Sequence, residues 1–278
     1  MTNDGHEDFQ KEIRMKCVLN EGFLAYERMG RGIPLLFIHG FPLSRKIWVD
    51  QLNELADIAD VISIDLRGHG ESYPFEGPYP MELLADDCKN LMEYENITPP
   101  FIVCGLSMGG YITLALYRKY PHLFKGMILT STRAGADSDL GKANRDKTIA
   151  NVHEHGVGFI VDDMLPKLLS GATLSGKPTL VSTLHDIMLE TSEQGVVGDS
   201  LGMRDRPDSI PLLSQINFPV LIVQGKDDQL IPLSEAELMH RHIANSRLEI
   251  IPSAGHLPNM EQSDLFNQIT RNFIATIT

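Results

Sequence analysis

Short, mostly apolar runs recur along the chain: Leu35–Ile38, Val61–Ile64, Phe101–Cys104, Met127–Thr130, Val220–Val223 and Leu248–Ile251, each bounded by Gly, Pro or Asp. Such runs predict strands buried on both faces, since a half-exposed strand would alternate apolar with polar positions. Between most of them lie segments of helical period, among them Met81 to Tyr94, whose stripe is Leu83, Leu84, Leu91 and Met92, and Leu114 to Tyr120. Strand alternating with helix is the pattern of an α/β fold, a mostly parallel sheet covered by helices on both sides.

Two half-polar segments, Met15 to Leu19 and Phe23 to Glu27, flank Asn20-Glu21-Gly22 and predict an antiparallel hairpin at one sheet edge. With the six runs they make an eight-stranded sheet. Leu265, Ile269 and Phe273 recur every fourth position between Met260 and Ile277, predicting an amphipathic closing helix. The strand pattern lapses from Arg133 to Pro211, where helical pieces carry Met164, Leu165, Leu168, Leu169, Leu184, Met188 and Leu189 among glycine-rich joints. Residues 133–211 are therefore expected to form a helical cap inserted into a core of residues 1–132 and 212–278. Insertions in α/β domains commonly sit over the ligand crevice.

Charge narrows the partners. The chain has 278 residues, with 37 acidic against 24 basic side chains and a net charge of -13. That balance repels polyanions and anionic bilayers, so neither nucleic acid nor membrane is an expected partner. The three cysteines, Cys17, Cys88 and Cys104, form no CxxC pair and read as buried thiols of a reducing compartment. The polar, acidic start lacks a secretion profile, and no apolar run approaches the ~20 residues that span a bilayer, so a cytoplasmic location is expected. Residues 1–12 are expected to be a loose tail. Nothing in the pattern specifies an oligomeric state.

The chemistry begins at Gly105-Leu106-Ser107-Met108-Gly109, a G-x-S-x-G sequence directly after one apolar run and directly before a helical one. A serine thrust out of a sharp turn brings backbones close together, and glycines two residues to either side leave the room. Serine is a weak nucleophile that needs a base, and the base needs an orienting carboxylate. Two further strand ends supply these types: Lys226-Asp227-Asp228 follows Gly225, and His256 follows Gly255. Cys104 is a lesser nucleophile candidate, because an apolar strand keeps its thiol protonated. The pairs His153/His155 and His240/His242 do not share a helix face and are not read as metal ligands. Gly171 to Lys177 lacks the Ser or Thr that ends a phosphate loop, and Gly68-His69-Gly70 lacks the third glycine of a dinucleotide fingerprint, so no cofactor is expected.

In these motifs the chain resembles the α/β-hydrolase family, from about Met15 to Ile277. The resemblance rests on His39-Gly40-Phe41-Pro42, Asp65-Leu66-Arg67-Gly68-His69-Gly70-Glu71-Ser72, the turn around Ser107, Gly225-x-x-Asp228-x-x-x-Pro232, and Gly255-His256, in that order. It implies Ser107 as nucleophile, His256 as base and Asp228 rather than Asp227 as the orienting acid. Thr130 to Arg133, where some relatives carry the acid, contains no carboxylate. The backbone N–H groups of Phe41 and Met108 are the natural donors to an oxyanion.

Together these residues imply a cofactor-free serine hydrolase of small carboxylic esters working through an acyl-enzyme, with activity falling as acid protonates the base. Serine at the turn argues against haloalkane dehalogenases and epoxide hydrolases. The cap is similar to those of 3-oxoadipate enol-lactonase-like proteins and small bacterial carboxylesterases, so the expected partner is a small ester or lactone. Phe41, Met164, Leu168, Met188 and Arg133 are expected to line the substrate pocket. Apolar cap residues favour a neutral acyl group, whereas Arg133, Arg145 and Lys167 could receive a carboxylate. Carbon–carbon bond hydrolysis, perhydrolysis and slow-turnover ligand sensing stay open on the same residues.

Overall fold

The computed structural model describes residues 15–19 and 22–277. The expected tail, residues 1–12, and the hairpin turn at Asn20 and Glu21 lie outside them. Eight strands form one sheet: β1 (Met15–Leu19), β2 (Gly22–Gly30), β3 (Ile33–Ile38), β4 (Ala59–Ile64), β5 (Phe101–Leu106), β6 (Phe124–Thr130), β7 (Val220–Gly225) and β8 (Ser246–Ile251). Their order is β1-β2-β4-β3-β5-β6-β7-β8. β1 and β2 pair antiparallel, as do β2 and β4, and every other neighbouring pair is parallel.

The uninterrupted apolar runs have a simple cause. In β5, Phe101 and Val103 join one apolar cluster while Ile102, Cys104 and Leu106 join another on the opposite face. Both faces are covered, so both sets of alternate positions must be apolar. The helix Met81–Tyr94 covers the first face through Leu84, Cys88, Leu91 and Met92. The helix Ser263–Ile277 covers the second through Phe266, Ile269, Phe273 and Ile274. Each such large side chain, fully buried, contributes roughly 1.5–3 kcal/mol.

Two expectations need correction. β8 is not buried on both faces: it ends the sheet, Leu248 is half-buried and Ile250 is 43% exposed. The closing helix is also interrupted, with Pro258–Glu261 and Ser263–Ile277 separated at Gln262. Glu261 is turned inward there, its carboxylate accepting the N–H groups of Ser170 and Gly255.

Five helices, Asp139–His155, Val157–Leu168, Gly171–Gly176, Pro178–Leu189 and Glu193–Asp205, and a short sixth, Ile210–Leu213, lie between β6 and β7. Ser138, Ser170 and Ser192 begin three of them, each hydroxyl accepting the N–H three residues on. Gly156, at φ 78°, makes the turn between the first two. Buried contacts fasten these helices to the sheet layer: Ser192 N–H and Oγ both donate to the Gly68 carbonyl, and His69 Nε2 lies 2.7 Å from Asp199 Oδ2. His69 Nδ1 meets the Leu43 carbonyl at 2.9 Å. Thus His69 ties the loop after β4 to the helix Glu193–Asp205. Among the described residues no helix is long and apolar enough to cross a membrane. Cys17, Cys88 and Cys104 are all buried and unpaired with one another.

Candidate active site

Ser107 stands between β5 and the helix Met108–Lys119 with φ 55° and ψ -114°, a conformation that a residue with a Cβ seldom adopts. Its neighbours explain how the turn persists. A Cβ on Gly105 would run into the Gly109 carbonyl, and one on Gly109 into the Ile38 carbonyl. Ser107 N–H donates to the Thr130 carbonyl at 2.9 Å, while the Ser107 carbonyl accepts from Thr132 Oγ1 at 2.7 Å. Gly109→Ala is therefore expected to destabilise the fold by at least about 3 kcal/mol, because rigid backbone faces the added methyl. Denaturant unfolding of the variant measures this, and a loss under about 1 kcal/mol would mean that the turn can open.

The loops after β7 and β8 meet through their own glycines. Gly225 lies so close to the Gly255 carbonyl that a Cβ would overlap it, and Asp227 N–H donates to the Ala254 carbonyl at 2.8 Å. This contact brings His256 Nδ1 to 2.8 Å from Asp228 Oδ2. His256 is 1% exposed, and its own N–H donates to the Leu168 carbonyl at 2.9 Å. Asp228 Oδ1 accepts the N–H groups of Leu230 and Ile231 at 2.8 and 3.0 Å, and Gln224 Nε2 donates to Oδ2 at 2.9 Å. Burial pushes the Asp228 carboxyl up, but the His256 charge and these hydrogen bonds outweigh it and hold it below the usual carboxylate range. An ionised Asp228 places the imidazole proton on Nδ1 and leaves Nε2 as a base. Asp227, by contrast, is exposed.

Ser107 and His256 line one cavity of about 370 Å³. No hydrogen bond joins their side chains among the described residues, a contact that in hydrolytic sites tightens when substrate binds. Phe41 borders the same cavity, and Gly40 packs directly against the Ser107 side chain and the Leu106 carbonyl. Neither Phe41 N–H nor Met108 N–H donates to an acceptor among the described residues, so both remain available to an anion. The helix Met108–Lys119 also begins there, adding the positive end of its dipole.

The pocket expected from the sequence is partly found here. Phe41, Met164 and Arg133 line the cavity. Leu168 and Met188 do not: both are fully buried in the second apolar cluster with Val161, Leu184 and Ile187, because the most apolar stripe of each helix packs onto core rather than onto a ligand space. Lys167 is also elsewhere, paired with Asp163 at the surface. Arg145 does line the cavity, together with residues that the sequence reading missed, among them Tyr111, Asp137, Met203, Leu230 and Ile231. Two signals were present: Tyr111 stands one helical turn after Ser107, and Asp137 stands four residues after Arg133.

The other nucleophiles and histidines are occupied differently. Burial pushes the Cys104 thiol far above its ordinary range, which keeps it inert. Cys17 borders a separate cavity of about 790 Å³. Burial and then Asp87 and Glu95 push its thiol up to about 11, so that cavity holds no ready thiolate. His39 accepts the Leu66 N–H at Nε2 and meets the Gly40 carbonyl through Nδ1, at 3.0 and 2.8 Å, which fixes its tautomer and its loop. Burial and the neighbouring His69 hold it well below the usual histidine range, hence neutral.

A family model described as alpha/beta hydrolase fold matches residues 33–263. The chain is similar to an esterase of Thermogutta terrifontis solved with malate bound, at 39% identity and a TM-score of 0.91, covering 95% of this chain and 98% of that one. It is 28% identical over 234 residues to 3-oxoadipate enol-lactonase 2 of Acinetobacter baylyi, covering 84% of this chain and 85% of that protein. It is 30% identical over 274 residues to the AB hydrolase superfamily protein YisY of Bacillus subtilis, covering 90% of this chain and 94% of that protein.

Proposed function

The chain belongs to the α/β-hydrolase fold family, and from that premise we propose that it is a serine hydrolase of small carboxylic esters. The observation that carries this reading is Ser107, raised on a strained turn in the same cavity as His256, whose imidazole is held by an ionised Asp228. In the proposed cycle Ser107 Oγ adds to the ester carbonyl while His256 Nε2 takes its proton. The oxyanion lies against the N–H groups of Phe41 and Met108. Its collapse expels the alcohol, which receives the proton from His256 and leaves an acyl-enzyme. Water, deprotonated by the same imidazole, then releases the acid and restores the serine.

Residues 133–211 act in this reading as a cap, since Arg133, Arg145, Met164 and Met203 supply one side of the cavity. The three unpaired buried thiols fit a cytoplasmic, reducing location. A lactone is the second substrate form, supported by the enol-lactonase similarity. In chemical terms it is an ester whose alcohol stays attached after ring opening.

Purified protein is expected to turn over aryl esters of short acids many times per site, with an initial burst where deacylation is slow. A stopped-flow panel of increasing acyl length reads this. Stoichiometric binding with no sustained product would instead make the protein a ligand sensor.

A further inference from the structure

One wall of this cavity carries charge that the hydrolytic cycle does not use. Asp137, fully buried, accepts Arg133 Nη2 at 2.6 Å and Arg206 Nη1 at 2.8 Å on Oδ1, and Arg145 Nε at 3.1 Å on Oδ2. Burial acts to raise the Asp137 carboxyl, but Arg145 and Arg206 outweigh it and hold it below the usual carboxylate range. Three guanidinium cations around one carboxylate leave an excess of two positive charges. In a chain with a net charge of -13, such a concentration beside a nucleophile needs a reason.

The three arginines are not equivalent. Arg206 is buried over the Tyr111 ring, and its two terminal nitrogens also donate to the Met203 and Gly135 carbonyls, which leaves it little capacity. Arg133 and Arg145 line the cavity with side chains 27% and 22% exposed. Arg133 Nε is buried with no hydrogen-bond partner. Arg145 spends only Nε on Asp137 among the described residues. Tyr111 also acts on Arg133, through its side-chain hydroxyl, while Glu235 acts on Arg133 and Asp199 on Arg145 without forming an ion pair with them. Asp199 is already committed to His69.

Resting on the hydrolase reading above, we propose that Arg133 and Arg145 form a carboxylate-binding subsite, so that the ester cleaved at Ser107 carries a second, ionised carboxylate. A half-ester of a short dicarboxylic acid is the fitting class. A guanidinium fork matches a carboxylate in two parallel hydrogen bonds, whereas a neutral acyl chain would strip water from both arginines and return nothing. A cavity of about 370 Å³ accommodates a molecule of that size. The second carboxylate takes no part in bond making; it anchors the acyl group while the ester carbon accepts the Ser107 oxygen and the alcohol departs with one proton.

The test compares 4-nitrophenyl hydrogen glutarate with 4-nitrophenyl pentanoate, which share a leaving group. Arg145→Gln and Arg133→Gln are each expected to lower the anionic-to-neutral ratio of kcat/KM on the order of 10- to 100-fold, mainly through KM, with Arg145→Lys recovering part of it. A ratio within twofold of wild type in both variants overturns the subsite, even if both esters are cleaved. Binding to Ser107→Ala protein supplies a second readout by calorimetry. Glutarate is expected to bind more tightly than glutaramide, and Arg145→Gln to erase the difference. Equal binding of the two overturns the subsite as well. Arg145-dependent glutarate binding without hydrolysis of any ester would retain the subsite and reject the hydrolase reading alone.

Discussion

Ser107→Ala is expected to remove turnover by up to about a millionfold in kcat while leaving the fold intact. The kinetic side follows from the cycle: without Oγ there is no acyl-enzyme, and what is left is the help that two N–H donors and a binding cavity give to direct attack by water. The structural side follows from the site. Alanine keeps the Cβ, so the backbone at φ 55° is no more strained than before. The serine hydroxyl makes no hydrogen bond among the described residues, so its removal orphans nothing. Thermal unfolding should move by less than the equivalent of ~0.5 kcal/mol. Steady-state rates on a 4-nitrophenyl ester, read beside a melting curve, give both numbers. Activity within about a hundredfold of wild type, at unchanged stability, would transfer the nucleophile's role to another group.

How much of this was legible beforehand depends on what each residue answers to. Strand runs such as Val220 to Val223 declare themselves because both faces of the sheet must be apolar, a demand on the residue itself. The helix Met81–Tyr94 could be read end to end for a similar reason, its apolar stripe being local. Ser107, Asp228 and His256 could be nominated because each follows a strand and has a glycine that its turn requires. Pocket lining is different. Met164 and Leu168 lie one turn apart on one helix, yet only the first reaches the cavity, and that choice is made by packing against distant Leu184 and Ile187. The Arg133–Asp137–Arg145 arrangement was hidden likewise, since the three become a charged wall only once the backbone past β6 doubles back at Ser138 into a helix. Gln224 went unnoticed just past an apolar run, although one polar residue at a buried strand end is itself a signal of a partner, here Asp228.

Asp228→Asn is expected to lower kcat about 10⁴-fold, against less than twofold for Asp227→Asn, and the local hydrogen bonds say why. Oδ1 of Asp228 accepts two backbone N–H groups, from Leu230 and Ile231, so an asparagine must place its carbonyl oxygen there. Its NH₂ group then faces His256 Nδ1 and Gln224 Nε2. Gln224 can adapt in part by turning its amide, which gives the partnerless Oε1 a donor but takes Nε2 from the Ile231 carbonyl. His256 has no such escape. Receiving a hydrogen bond at Nδ1 moves its proton to Nε2, the nitrogen that must take the proton of Ser107, and no negative charge is left to stabilise the imidazolium. The loss should therefore fall on kcat, with KM for a neutral ester nearly unchanged. The same carboxylate also predicts an acid response. Its folded pKa is depressed, so its contribution to stability is full above the unfolded carboxylate value of about 3.9 and disappears as pH falls through the lower folded value. Asp228→Asn lacks that contribution at every pH, so the gap between its melting temperature and that of wild type should narrow on acidification below about pH 4. A gap that stays constant down to the acid transition would mean that the carboxylate is not held ionised by His256, and with it the tautomer argument would fail.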